Sequence, residues 1–174
     1  EPEEAQKLIT QDPHNREVLF PYLNGEDLNS RPDQSPSRWV INFHNWPIER
    51  AEAYFDVMRI VRETVKPERD KNNRKTYRDY WWHYAEKRPA LVAAMAEMKW
   101  VLITAAVSPT TAFHLATTDT VFAHKLVVFA MESFAAFGIL QSTMHREWAY
   151  QYSSTLGATT LNYSPSDCFE TFPF

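Results

Sequence analysis

"WVLITAAV" (Trp100–Val107) has the length and the β-branched content that are typical of a strand. A second stretch, "VFAHKLVVFAM" (Val121–Met131), predicts another strand, and its second half is apolar on both faces. A connection rich in Pro and Thr, Ser108–Thr120, separates the two. Glu132–Tyr152 follows with apolar side chains at helical spacing, and Gly157 lies just past its expected end. Strands and a helix are therefore expected in the second half.

The first half also mixes the two kinds of element. "EPEEAQKLI" at the start predicts a short helix, and "EVLFPYLNGEDLN" (Glu17–Asn29) an extended run into a turn at Asn24-Gly25. "SRWVINF" (Ser37–Phe43) alternates like a half-buried strand. A long amphipathic helix with Asn45 as its cap and Phe55 on its apolar face is then expected to run until Pro67 ends it.

Two further helices are expected downstream, one over Asp79–Lys87 and one from Pro89 to about Met98. Strands and helices alternate irregularly, with neither an internal repeat nor a low-complexity tract. At 174 residues the chain is long enough for one domain with a core. The prediction is a single α+β domain with a mixed or antiparallel sheet and several flanking helices.

Charge is distributed unevenly along the chain. The net charge is −4, yet the stretch from Arg59 to Arg78 holds eight Lys or Arg against three acidic residues. A single Cys cannot form an internal disulfide, which fits the cytoplasm, and no apolar run is long enough to cross a membrane. The start at Glu1 without Met suggests a piece of a larger protein.

Catalytic and metal-binding patterns are weak in this sequence. Cys168 has no His near it in sequence, and a buried packing role is the simpler interpretation. None of the six His has a second His at i+3 or i+4, and the three Gly are too scattered for a phosphate-binding loop. Asp33 with Glu97 and Lys99 matches a nuclease pattern only across a long gap. We therefore expect no catalytic residue, metal or cofactor in this segment.

"RDKNNRKTYRDYWWH" (Arg69–His83) combines basic, amide and aromatic residues. Lys and Arg neutralise phosphates, Asn can pair with base edges, and aromatic rings can stack on bases. A solvated loop that keeps the protein soluble would have the same composition. The residues alone leave both interpretations open.

Three segments taken in order resemble a known family. They are "FPYLNGEDLNSRPDQSPSRWVINF" (Phe20–Phe43), "VKPERDKNNRKTYRDYWW" (Val65–Trp82) and "HREWAYQYSSTLGATTLNYSPSDCFETFPF" (His145–Phe174). Together they are similar to the target recognition domain of MmeI-like type IIG/IIL restriction-modification enzymes. In those enzymes a nuclease, an adenine-N6 methyltransferase and a DNA-recognition domain share one chain, and related chains act in phage defence.

The resemblance implies a function for the whole segment. Residues 1–174 would recognise duplex DNA, while an upstream methyltransferase domain of the same chain would bind S-adenosylmethionine and perform catalysis. No Asn-Pro-Pro-aromatic methyltransferase motif occurs here, as expected of a detached recognition domain. Residues 165–174 would connect to a following domain.

The family's base-recognising positions precede the "YS" at Tyr163-Ser164. In this sequence they correspond to Ala158, Thr160 and Asn162, although many relatives carry Arg or Lys at the last two. An ordinary hairpin arm is the alternative interpretation of this run. The residues expected to contact the DNA backbone are Arg69, Lys71, Arg74, Lys75, Arg78, Ser153 and Ser154.

Two hypotheses of other classes remain. The segment could be a docking or scaffold domain of the same enzyme that uses its aromatic surface and does not recognise bases. It could also be an independent hydrolase that uses Cys168 or an acid-His pair.

Overall fold

A computed structural model describes residues 1–174, and the chain forms two compact units. Unit 1 comprises Glu1–Pro21 and Ser37–Arg88, and unit 2 comprises Tyr22–Pro36 and Pro89–Phe174. The predicted α+β class is confirmed, with mixed and antiparallel pairing in three small sheets. No helix is both long enough and apolar enough to cross a bilayer.

The α-helices in chain order are α1 (Pro2–Gln11), α2 (Gly25–Ser30), α3 (Ile48–Ala51), α4 (Phe55–Thr64), α5 (Lys66–Asp70), α6 (Lys75–Asp79), α7 (Pro89–Met95), α8 (Phe134–Leu140) and α9 (Thr143–Tyr152). The strands are β1 (Leu19–Leu23), β2 (Arg38–Ile41), β3 (Trp100–Ala105), β4 (Val107–Ser108), β5 (Phe113–Thr117), β6 (Val121–Phe122), β7 (Leu126–Phe129), β8 (Ser154–Leu156) and β9 (Thr160–Asn162). A 3₁₀ turn at Pro13–Glu17 and a π-helical turn at Pro165–Phe169 complete the list.

Tyr54 interrupts the long helix predicted in unit 1. Its ring packs against Phe43 and Trp46, with centroid distances of 6.1 and 5.6 Å, and its hydroxyl donates to Glu17 Oε2 at 2.8 Å. Its backbone is non-helical, so α3 and α4 are separate helices. The predicted apolar face is wrong at Phe55, whose exposed fraction is 75%. The predicted cap is also wrong, because Asn45 accepts a hydrogen bond from Lys87 Nζ instead.

The predicted helix over Asp79–Lys87 is not formed, since α6 ends at Asp79. The next turns bury Trp81, Trp82 and His83 in unit 1. Trp82 Nε1 donates to the carbonyl oxygen of Trp46 at 2.9 Å, and His83 Nε2 lies 2.9 Å from the same oxygen. Consecutive side chains of a helix point in different directions, so three neighbours enter one core only from irregular backbone.

Unit 2 is built around β3, which is buried along most of its length and pairs antiparallel with β5 and β7. A second sheet has the order β4-β9-β8, and the end of β1 pairs in parallel with β6. The strand predicted over Val121–Met131 is divided between β6 and β7. The connection predicted between the strands contains β4 and β5, which alternation alone did not indicate.

Local hydrogen bonds set the helix starts in unit 2. Asn24 does not form the predicted turn, because it forms a reciprocal capping box with Asp27 at the start of α2. The helix predicted over Glu132–Tyr152 is divided at Gln141 and Ser142. The Ser142 hydroxyl accepts from His145 N and begins α9, while Gln141 Oε1 accepts from Phe113 N at 2.8 Å.

Residues 165–174 pack within unit 2. Cys168 is fully buried, and the ring centroid of Phe172 lies 4.7 Å from that of His145 and 5.8 Å from that of Trp148. Burial raises the pKa of the Cys168 thiol, which disfavours the reactive thiolate. A packing role for Cys168 follows from this environment. The connector function expected of the segment stays a prediction.

Leu140 and Ile139 provide a matched test of the unit 2 core. Leu140 is fully buried among Leu102, Phe129 and their neighbours, whereas Ile139 is 39% exposed. We expect Leu140→Ala to lower the free energy of unfolding by about 2–5 kcal/mol. Ile139→Ala should lower it by no more than about 1 kcal/mol. Urea denaturation measures both, and equal losses would contradict this assignment of the core.

We expect His145 to make the stability of unit 2 dependent on pH. It is fully buried, its Nε2 lies 3.0 Å from the Tyr163 hydroxyl, and its Nδ1 has no hydrogen-bond partner. Burial lowers the pKa of this imidazole. The unfolded chain therefore takes up the proton first, at a pKa of about 6.5. Stability should be complete above that pH and fall as the pH drops below it.

We expect His145→Gln to flatten this decline between pH 7 and 5 in urea titrations. Burial also lowers the pKa of His83 and His114, so part of the slope should remain. Gln151→Ala, at an exposed position of α9 without a titratable group, should keep the wild-type slope. An unchanged slope in His145→Gln would show that another group controls the effect.

Candidate nucleic-acid interface

The β8–β9 hairpin holds all three positions predicted to recognise bases. β9 is the central strand of its sheet, paired antiparallel with β4 on one side and with β8 on the other. Leu161 is buried, so the side chains of Thr160 and Asn162 project from the opposite face of β9. Ala158 lies in the exposed turn between the strands. The predicted alternation is therefore present for Thr160 and Asn162, whereas Ala158 lies outside the strand.

The register adds other residues to the same face. Ser154 and Val107 are the partners of Asn162 on the two neighbouring strands, and Leu156 is the partner of Thr160. Residues directly opposite each other in an antiparallel pair project to the same side of the sheet. We call the set Val107, Ser154, Leu156, Thr160 and Asn162 the hairpin face. Sequence spacing did not indicate Val107 or Leu156, since a strand pairing has to be known first.

The turn of the hairpin is fixed at two points. Gly157 has φ of +68°, a conformation that other residues adopt at a cost. The Tyr150 hydroxyl, from α9, donates to the carbonyl oxygen of Thr159 at 3.0 Å. A helix thus supports the turn that carries Ala158.

A hydrogen bond across the hairpin orients the Asn162 amide. Asn162 Nδ2 donates to Ser154 Oγ at 3.0 Å, which leaves its second amide hydrogen and Oδ1 for a ligand. The two serines predicted to contact phosphates differ in their surroundings. Ser154 is exposed and bonded to Asn162, whereas Ser153 is half-buried and its Oγ accepts from Ser164 N at 3.1 Å. Their phosphate contacts stay predictions.

The hairpin carries no charged side chain. Ser153–Asn162 contains hydroxyl, amide and apolar groups but no Asp, Glu, Lys, Arg or His. Such a surface offers hydrogen bonds and apolar contacts and no Coulombic attraction to phosphate. These are the interactions that base edges in a DNA groove can make.

The five basic residues predicted to contact phosphates lie in unit 1, and two of them contact Tyr77. The guanidinium carbon atoms of Arg69 and Arg74 lie 4.5 and 5.6 Å from the centroid of the Tyr77 ring. Arg78 Nη1 donates to the carbonyl oxygen of Asn72, whose side chain accepts from Arg74 N at 2.9 Å. Two like charges therefore converge on one aromatic ring.

No carboxylate neutralises these five side chains within ion-pair distance. The nearby Asp70 is paired with Lys66 instead, at 2.7 Å. Lys71 and Lys75 are exposed. The five residues are thus free to attract an anion, and they belong to unit 1 whereas the hairpin belongs to unit 2.

Other candidate sites have simpler explanations. No group of three or more His, Cys, Asp or Glu is arranged to hold a metal ion. Unit 1 has a surface groove of about 440 Å³ beside the Arg62–Glu52 ion pair and the exposed Phe55. Unit 2 has one of about 410 Å³ between Pro109–Ala112 and the start of α9. Neither groove is lined by a His or a Cys.

Comparison with known proteins agrees with the resemblance found in the sequence. The chain is similar in fold to the structure of the type IIL restriction-modification enzyme MmeI in complex with DNA, with a TM-score of 0.70 and 18% identity. The match covers 99% of this chain but only 22% of the MmeI chain. No curated protein sequence matches the chain. The family model "MmeI, target recognition domain" matches residues 1–174 over their full length, and the chain therefore belongs to the MmeI target recognition domain family.

Proposed function

We propose that this chain binds duplex DNA and provides the sequence specificity of a restriction-modification or DNA adenine-N6 methyltransferase protein. The observation that carries the proposal is the uncharged hairpin face with its oriented Asn162 amide. Family membership and the similarity to MmeI, solved in complex with DNA, support the same function. Other domains of the longer protein that contains this chain would perform catalysis.

Asn162 is the strongest candidate for recognition of a specific base. A side-chain amide can donate to N7 and accept from N6 of adenine in the major groove. The Ser154 hydroxyl uses one Nδ2 hydrogen, and the remaining hydrogen and Oδ1 match that pair of groups. Ser154 therefore acts as a positioning residue for Asn162. Thr160 and Ala158 would add contacts along the same edge of the hairpin.

The basic residues of unit 1 would supply most of the affinity. Unit 2 holds nine acidic and four basic residues, so its overall charge repels phosphate. In unit 1, Arg69 and Arg74 both lie against the Tyr77 ring without a carboxylate partner. A phosphate that contacts both would relieve the repulsion of the two guanidinium groups. Lys71, Lys75 and Arg78 would extend this contact along the DNA backbone.

The remaining functions would belong to the rest of the protein. An upstream methyltransferase domain in the same chain would bind S-adenosylmethionine and methylate adenine, and a nuclease domain would cleave where one is present. Such a protein would act in the cytoplasm as part of phage defence. A docking role without base recognition is the alternative, and the experiments below separate it from DNA recognition.

Lys71→Ala and Arg74→Ala test the phosphate contacts. In the full-length protein each should weaken binding to all DNA sequences alike, because phosphate contacts carry no base information. Each should also reduce the slope of log K against log salt by about 0.9. Lys7→Ala, an exposed lysine of α1, is the control and should leave the slope unchanged. Fluorescence anisotropy at several salt concentrations measures this, and unaltered slopes in both variants would remove these residues from the interface.

Asn162→Ala tests base recognition. In the full-length protein we expect it to change the preferred sequence at one position, with a loss of about 1–3 kcal/mol for the original base. Ser154→Ala should weaken the preference for the same base by less than Asn162→Ala does, because Ser154 only positions the Asn162 amide. Thr155→Ala is the control, because Thr155 pairs with Leu161 on the other side of the hairpin. Selection from a randomised DNA library gives the preference; an equal loss on all sequences would show that Asn162 does not recognise a base.

A further inference from the structure

We propose that Leu156 and Val107 bind the C5 methyl groups of pyrimidines in the major groove, beside the base that Asn162 recognises. The inference rests on the proposed function and adds a second kind of contact to it. The chemical class of the ligand is a 5-methylpyrimidine: thymine, or a cytosine that carries the same methyl group.

The exposure of these two side chains is the first observation. Leu156 is 57% exposed and Val107 is 38% exposed. The other large exposed apolar side chains of the chain lie on helices, in turns or at the C-terminus. Among the strands, large apolar side chains are therefore exposed only at the hairpin face.

The register places this apolar surface next to the polar groups. Val107 lies directly opposite Asn162 and Leu156 directly opposite Thr160, so each pair has Cβ atoms roughly 5 Å apart. Asn162 and Thr160 are two residues apart on β9, or about 7 Å. Since base pairs rise by about 3.4 Å, Leu156 would meet a base about two pairs away from the one bound by Asn162.

The chemistry of the groove identifies the ligand group. The major groove of about 12 Å admits a two-stranded ribbon such as β8–β9. Unmodified base pairs present hydrogen-bonding atoms there. Their one apolar group is the C5 methyl of thymine, which A·T pairs carry. An aliphatic side chain aimed at any other base edge would bury polar atoms without a partner. Thymine is therefore the base that Leu156 and Val107 fit.

The test combines single methyl deletions in DNA with side-chain truncations in the full-length protein. The preferred site is first obtained by library selection. Each thymine in it is then replaced in turn by deoxyuridine, which removes the methyl group and keeps the hydrogen-bonding edge. At one or two positions wild-type binding should weaken roughly four-fold, the value of one buried methyl group. The same replacement should have no effect at that position in Leu156→Ala or in Val107→Ala.

Val92→Ala is the matched control, since Val92 on α7 is 56% exposed and lies outside the hairpin. DNA binding by Val92→Ala should weaken on deoxyuridine replacement as much as binding by the wild type does. Library selection can instead return cytosine at the position that contacts Leu156 or Val107. Replacing that cytosine with 5-methylcytosine should then strengthen wild-type binding by the same factor. The two replacements distinguish thymine from 5-methylcytosine as the source of the methyl group. Leu156 is exposed, so its truncation should leave the thermal unfolding temperature unchanged.

Three outcomes would overturn the inference. Deoxyuridine without effect at every thymine, or with equal effects in the wild type and both truncated variants, would exclude methyl recognition by these residues. A selected site without thymine, in which 5-methylcytosine has no effect on binding at any cytosine, would do the same. In each case a changed preference in Asn162→Ala would still support the proposed function, so the two failures are distinguishable. Self-association lost in Leu156→Ala would identify the face as a contact between copies.

Discussion

Strand β9 is hydrogen-bonded on both of its sides, and the hairpin face depends on this constraint. Its partners β4 and β8 fix the backbone, so residue 161 must point one way and residues 160 and 162 the other. Leu161 is buried in the unit 2 core, which makes a slip of one residue costly because it would expose Leu161 and bury Asn162. The burial of Leu161 in the core thereby determines that the side chains of Thr160 and Asn162 point away from the core.

The sequence predicted the hydrophobic elements of the fold better than their interruptions. The apolar run at Trp100 indicated β3 correctly, because burial on both faces leaves a strong local signal. The run at Val121 indicated extended structure but not its division between β6 and β7. The break at Tyr54 depends on contacts with Phe43 and Glu17, which are distant in sequence. β5 was missed because its neighbours are rich in Pro and Thr. Features set by tertiary contacts leave little local signal.

The candidate site shows the same division. Alternation and family resemblance located Thr160 and Asn162, and charge density located the basic stretch. Neither indicated that Tyr77 gathers two guanidinium groups, nor that Leu156 and Val107 lie beside the predicted positions. The first depends on how α6, which carries Tyr77, packs against α5. The second depends on strand register, within the hairpin for Leu156 and between strands far apart in the chain for Val107.

The neutral composition of the hairpin has a consequence for how such a domain diversifies. The side chains of the hairpin face are not members of the hydrophobic clusters of unit 2, and they carry no charge. The backbone ladder and the burial of Leu161 hold the strands together. Under the proposed function, substitutions on this face would change the target sequence at nearly constant folding stability.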